Sequence, residues 1–164
     1  MDVYREQLTV KSNGGRPTFH LISDQVREIV RRSGIRNGIC VIYTHHTTCS
    51  IVIQECSFDV DESGLEYMQH DLVNILEHIA PTFDEGVYKH PGPQAVKFAA
   101  SHGENRREAN NTEAHIRSSI FGRSETVVIA DGSLDLGAFG QVYFVDFDQT
   151  RARERQIQVQ IIGI

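Results

Sequence analysis

Eight histidines stand in a chain of 164 residues, and where they fall is more informative than how many there are. His46, His102 and His115 sit at what the surrounding residues predict to be a strand end, a polar loop and the first turns of a short helix. Three neutral imidazoles converging from separate rigid elements, with a fourth position left to water, make the usual catalytic zinc arrangement. These three are the candidate ligands for a divalent metal ion, zinc in the first place. Spacing alone carries this only weakly, since there is no HExxH and no compact Cys/His pattern. The plainer alternative is three histidines that pack or hydrogen-bond without any ligand. His20, His70, His78 and His90 have no evident partners and read as surface or packing residues. In extended backbone neighbouring side chains point to opposite faces, so at most one of His45 and His46 faces a given site.

An anion has candidate partners as well. A helix starting near Asn111 offers unpaired backbone N–H groups at its N-terminus, and Arg117, Ser118, Ser119 and Arg123 lie along it or just beyond. Asn111, Arg117, Ser119 and Arg123 are the residues assigned to a phosphate. Glu55, Glu104 and Glu113 are the carboxylates available as a general base. No GxxxxGK[ST], GxGxxG or GxSxG occurs, which sets aside P-loop hydrolysis, a dinucleotide fold and a nucleophile elbow. Cys40 and Cys49 lie in apolar runs, where buried thiols are usually inert; Cys56 is less constrained.

The elements that must position these residues follow from periodicity. Met1–Lys11 reads as a strand, broken by the turn formers Ser12 to Pro17. Val26, Ile29 and Val30 recur at helical spacing, with Ser23 as N-cap, Arg31 and Arg32 at the negative end, and Gly34 as the stop. Ile39–Thr44 and Cys49–Gln54 are short, β-branched strands joined by His45-His46-Thr47-Thr48. A second helix is predicted from Glu62 to Ile79, with an apolar stripe of Leu65, Met68, Leu72, Ile75, Leu76 and Ile79, and Pro81 ends it. Thr82 to Asn110 shows little periodicity and reads as a long loop, a kind that is usually functional or partly disordered. A short helix from Asn111 to Phe121 follows. Three strands, Thr126–Ala130, Val142–Phe147 and Gln156–Ile162, end the sequence as a meander. Strands and helices do not alternate regularly. The expectation is therefore one α+β domain over residues 1–164, with a mixed or mostly antiparallel sheet, two main helices and one short helix.

Composition narrows the function classes. An apolar share of 40% and a charged share of 23% fit an ordinary globular domain. A net charge of -6 argues against a surface that tracks nucleic-acid phosphates. Arg151, Arg153 and Arg155 form a local basic run without interleaved aromatics, read as a solvated loop or exposed strand face. Three cysteines without a CxxC pair point to a reducing compartment. With no apolar leader-like segment and no membrane-length apolar run, the expected location is the cytoplasm.

Several segments together resemble one family. His46-Thr47-Thr48-Cys49-Ser50-Ile51-Val52-Ile53-Gln54-Glu55 is similar to the H-T-[TS] strand, apolar run and Glu of the YjbQ-type family of secondary thiamine-phosphate synthases. Asn111-Thr112-Glu113-Ala114-His115-Ile116-Arg117-Ser118-Ser119-Ile120-Phe121-Gly122-Arg123-Ser124 follows that family's N-x-[DE]-A-H-I-x-x-S-[LIM]-[LF]-G-x-S. Asp131-Gly132, Leu134, Leu136-Gly137, Asp146-Phe147-Asp148, Arg151 and Arg153 resemble its carboxyl end. Asp71-Leu72 and Pro81 fit its central helix, and His102 corresponds to the histidine of its H-D-E-G segment. There are departures. Gly137-Ala138-Phe139-Gly140-Gln141 replaces G-T-W-Q-G, Glu55-Cys56-Ser57-Phe58-Asp59 replaces E-N-x-D-P, and the loop from His102 to Asn111 is longer.

The resemblance implies a trimer of compact α+β subunits, with a histidine-lined pocket near the subunit contacts that holds a metal ion or an anion. It also implies a secondary capacity to join a pyrimidine pyrophosphate to a thiazole phosphate. Two readings stay open. One is a metal-assisted enzyme acting on a small phosphorylated metabolite; the other is a homotrimeric metal- or metabolite-binding protein without a dedicated reaction.

Overall fold

The computed structural model describes all 164 residues. Its elements run β1 (Asp2–Lys11), β2 (Thr18–Leu21), α1 (Ser23–Ser33), β3 (Gly38–Tyr43), β4 (Cys49–Glu55), α2 (Tyr67–Ile79), α3 (Pro93–Ser101), α4 (Arg106–Ala109), α5 (Thr112–Phe121), β5 (Ser124–Ala130), β6 (Ser133–Leu134), β7 (Gly140–Asp146) and β8 (Glu154–Gly163). A five-stranded sheet has the order β1-β8-β3-β5-β6, and a three-stranded sheet the order β2-β7-β4. Every strand pairing is antiparallel. This is the expected single α+β domain.

Strand periodicity builds the layers. Along β8, Arg155, Ile157, Val159 and Ile161 alternate inward, as the period of two requires. With Cys40, Ile42, Val127 and Ile129 they meet Cys49, Ile51, Val142 and Phe144 of the smaller sheet, and α1 adds Val26, Ile29 and Val30. β7 is buried on both faces. Its other face, Tyr143 and Val145, packs with Phe147 against Leu76 of α2 and Ala114 of α5. The result is three layers: large sheet with α1, small sheet, then α2 and α5. No helix is long and apolar enough to cross a membrane.

Four expectations need correction. The closing strands are not a meander: β7, apolar on both faces, is the centre of the small sheet, and β8 returns to lie between β1 and β3. Ser23 is the first helical residue rather than the cap, and its Oγ accepts the Val142 N–H at 2.8 Å, tethering α1 to β7. α2 begins at Tyr67, not Glu62, because the Asp61 carboxylate accepts the N–H groups of Ser63 and Leu65 and holds a turn there. Glu66 and Gln69 then form a capping box that starts the helix. The stretch from Thr82 to Asn110 is not structureless. Pro93 opens α3, and the Asn105–Glu108 capping box opens α4. α3 buries no residue, so it leaves no strong apolar period in the sequence.

The turn between β1 and β2 fixes the segment that carries the arginines. Gly15 N–H donates to Gln149 O, and Ser12 N–H to Arg153 O. Gly14, at φ +68, lies so close that a Cβ would stand 2.7 Å from the Arg151 carbonyl carbon. Gly38 plays the same part at the sheet end, where a Cβ would overlap Ile162 O and stand 2.7 Å from Gly163 Cα. Gly38→Ala is expected to lower stability by about 1–3 kcal/mol, read as a shifted denaturant midpoint with an unchanged slope.

Candidate functional site

A cleft of about 440 Å³ opens beside the β3–β4 junction. His45, His46, Thr47 and Thr48 of that junction line it together with His90, Pro91, Ala95, Phe98, Ala99 and His102. Glu104, Ala109, Asn111 and His115 close one side, and Arg153 and Arg155 lie at its base. The structure thus brings His46, His102 and His115 to one cleft, together with two of the anion and base candidates, Asn111 and Glu104.

The rings differ in what they offer. His115 Nδ1 lies 3.2 Å from Thr47 O, and His102 Nδ1 2.9 Å from Phe98 O. A carbonyl only accepts, so Nδ1 carries the hydrogen in both rings and Nε2 keeps its lone pair. His90 behaves alike. The Thr112 hydroxyl donates to His90 O at 2.7 Å, so Thr112 Oγ1 accepts at 3.0 Å from His90 Nδ1–H. His90 and His115 meet edge to face, with centroids 5.6 Å apart. His46 is reversed: its Nε2 accepts the Gln156 backbone N–H at 3.0 Å. A neutral His46 must then carry its hydrogen on Nδ1 and has no lone pair left for a metal. His46 is therefore corrected from ligand to hydrogen-bonding residue.

Whether this donor set suits a divalent cation follows from the same contacts. Imidazoles whose Nδ1–H is anchored on a backbone or hydroxyl oxygen are typical zinc ligands. His90, His102 and His115 meet that condition, although no three His, Cys, Asp or Glu side chains are gathered closely enough here to enclose an ion. Burial, and then the neighbouring His90, lower the pKa of His115; burial, and then the Arg155 charge, lower that of His46 to about 4.

The base of the cleft is a charge network. Arg155 is buried, with Nε 2.6 Å from Asp146 Oδ2 and Nη2 3.1 Å from Asp146 Oδ1, and Nη2 also donates to Thr48 Oγ1. Arg153 Nη2 reaches Glu104 at 3.1 Å and Asp148 at 3.4 Å, while its Nε is buried without a partner. Arg151 pairs with Glu104 at 2.7 Å and with Glu108 at 2.8 Å, which ties the segment after α3 to the turn before β8. Asn111 Nδ2 lies 3.5 Å from Asp148 Oδ2.

Other candidates fall elsewhere, each for a geometric reason. Arg117 is two residues from His115, about 200° around the helix, so it points away from the cleft. It is fully buried, donating from Nε and Nη2 to Ala80 O and from Nη2 to Glu77 at 2.7 Å, where it caps the end of α2 rather than binding phosphate. Glu113 is buried beside Phe83, burial raises its pKa, and its Oε2 has no partner. Glu55 is exposed at the far end of β4, roughly 20 Å of strand from the His46 end. Ser119 shares the His115 face but donates to His115 O and lines a neighbouring shallow groove with His90, Thr112, Ile116 and Ile120. Arg123 donates to His45 O and braces the cleft wall from behind.

His90, expected as a surface or packing residue, and Arg153 and Arg155, expected on a solvated loop or exposed strand face, line the cleft instead, with Arg155 buried. The arginines did carry a signal: Arg155 stands in phase with Ile157, Val159 and Ile161, the inward set of β8. Nothing around His90 marked it.

Two outcomes follow from these contacts. Arg117→Ala strips the Ala80 carbonyl of its donor and leaves Glu77 with only its Thr82 contacts, so a loss of about 2–3 kcal/mol by denaturant unfolding is expected, with ligand binding in the cleft unchanged. His46 and His115 have folded pKa values below that of an unfolded histidine, so the unfolded polypeptide takes up protons first as pH falls. Their contribution to stability is therefore complete above about pH 6.5 and is lost progressively toward pH 4. Thermal midpoints at pH 7 and pH 5 should differ less in His46→Gln than in the wild type.

Comparison with known proteins assigns the family. Residues 6–164 match the family described as UPF0047 protein YjbQ-like. A UPF0047 protein of Methanocaldococcus jannaschii is 33% identical over 142 residues, 87% of this chain and 83% of that protein. One from Methanothermobacter thermautotrophicus is 31% identical over 163 residues, 99% of this chain and 94% of the relative. Among solved structures, a YbjQ-like protein of unknown function from Sulfolobus solfataricus superposes with a TM-score of 0.76 at 27% identity, covering 99% of both proteins. A YjbQ/UPF0047 protein of Clostridium acetobutylicum gives 0.71 at 28% identity, covering 96% of this chain and 99% of its own. With the family match spanning nearly its whole length, the protein belongs to the UPF0047 YjbQ-like family.

Proposed function

We propose that the cleft takes a small phosphorylated metabolite and acts on it with the help of a divalent cation, zinc by preference. The observation that carries this reading is the set of anchored rings. His90, His102 and His115 line one cleft, and each has its Nδ1–H committed to an oxygen and its Nε2 lone pair free. A cation held there would polarise a phosphoryl oxygen and stabilise charge building on a departing pyrophosphate.

The protein's own groups supply the rest. Arg153 and Arg155 offer charged donors to phosphoryl oxygens at the base of the cleft, and Asn111 adds an amide beside them. Glu104 alone of the three candidate bases lines the cleft, where it can accept a proton. A secondary thiamine-phosphate synthase activity belongs to this reading, since joining the two halves requires a pyrophosphate to leave. The exposed apolar residues Met68, Ile75 and Ile79 on α2 support a face covered by another subunit, and the homotrimer that the resemblance implies belongs to this reading. Three free cysteines support a cytoplasmic setting.

One observation favours the second reading, a binding protein without turnover: Glu104 Oε1 is already held by both Arg151 and Arg153. Elemental analysis of the purified protein comes first. About one zinc per subunit is expected in the wild type and in His46→Ala, and loss of it in His102→Ala and His115→Ala. A metal content that His115→Ala leaves untouched sinks the cation site. Turnover of phosphorylated metabolites by the metal-loaded wild type then separates enzyme from carrier.

A further inference from the structure

The backbone of β8 decides which nitrogen of His46 is protonated. Gln156 N–H, 3.0 Å from His46 Nε2, takes the ring's one lone pair. The remaining Nδ1–H has no acceptor anywhere in the protein, although His46 lines the cleft. Two further donors there are idle: Arg153 Nε is buried and unpartnered, and Arg155 uses only Nε and Nη2 on Asp146, Thr48 and Asp148. All three residues sit where the β3–β4 junction meets the start of β8. Nothing but donors faces a ligand from these side chains.

We propose that His46 is a tautomer-locked, neutral hydrogen-bond donor which, with Arg153 and Arg155, forms the anion-recognition edge of the cleft. It selects a ligand group that only accepts, an ionised phosphate or pyrophosphate. The inference rests on the phosphorylated-ligand reading above and gives that reading a specificity-determining residue. The lock has a physical source. Turning the ring over to free Nε2 would leave the Gln156 N–H without its partner, and the surrounding burial disfavours a doubly protonated ring. Carboxamides test the ring atom by atom. Asparagine places its NH₂ near the position of Nδ1, and glutamine places its terminal oxygen or nitrogen near Nε2.

The first measurement is the His46 tautomer in the ligand-free wild type, from the two ring-nitrogen shifts in a long-range proton–nitrogen NMR correlation. The protonated-Nδ1 form is expected, unchanged between pH 6 and 8. The second is calorimetric binding of inorganic phosphate and of pyrophosphate to the full-length protein. His46→Asn should bind within about threefold of wild type, whereas His46→Gln, which keeps the acceptor for Gln156 and loses the donor, should bind about tenfold more weakly. A protonated-Nε2 ring alongside intact phosphate binding overturns the donor assignment alone. Equal weakening by Asn and Gln does the same. Absence of any phosphate or pyrophosphate binding by the wild type overturns the anion role together with the functional reading beneath it.

Discussion

The two-pronged contact between Arg155 and Asp146 is the interaction on which the rest of the site depends. Arg155 opens β8 in the large sheet and Asp146 closes β7 in the small one, so the ion pair fastens the two sheets at the cleft end of the domain. Both side chains are buried, and burying charge is costly unless every partner is in place. Here the partners are numerous. Asp146 also accepts the Asp148 N–H, and Arg155 also donates to Thr48 and approaches Asp148. Removing one member would strand the others without solvent. The cleft floor is therefore a rigid platform rather than a lining of mobile side chains.

From that platform the backbone assigns hydrogen-bonding roles to the rings above it. Thr47 and Phe98 carbonyls and the Thr112 hydroxyl hold Nδ1–H of His115, His102 and His90, and the Gln156 amide holds Nε2 of His46. Chemically identical side chains thereby become opposite functional groups, three offering a lone pair and one offering a hydrogen. The difference is set by whether an oxygen acceptor or a backbone amide stands behind the ring, not by the ring's own pKa.

α3 and α4 contribute differently. α3 buries no side chain, yet it supplies Ala95, Phe98 and Ala99 to the cleft wall, and the residue that caps it, His102, joins them. The segment is held mainly by polar contacts, in which Glu104 and Glu108 pair with Arg151, and Glu104 also with Arg153. Such ion pairs lie partly exposed and contribute modestly. This wall is consequently the part of the cleft least tied to the core.

Local sequence determined the period-two strands, the amphipathic helices α1 and α2, the α+β class and a list of candidate residues, of which His46, His102, His115, Asn111 and Glu104 share the cleft and Glu55, Glu113, Arg117, Ser119 and Arg123 do not. Those features follow from side-chain alternation, turn chemistry and short motifs, which act over a few residues. Tertiary structure alone decided that β7 leaves the closing strands for the small sheet and that His90 joins the cleft. It also turned Arg117 and Glu113 inward to the other side of α5. It alone reversed the role of His46, because the amide that fixes that ring belongs to Gln156, 110 residues further along the sequence. Contacts at such separation leave no periodicity to read. They exist only once both sheets have packed and Arg155 has met Asp146.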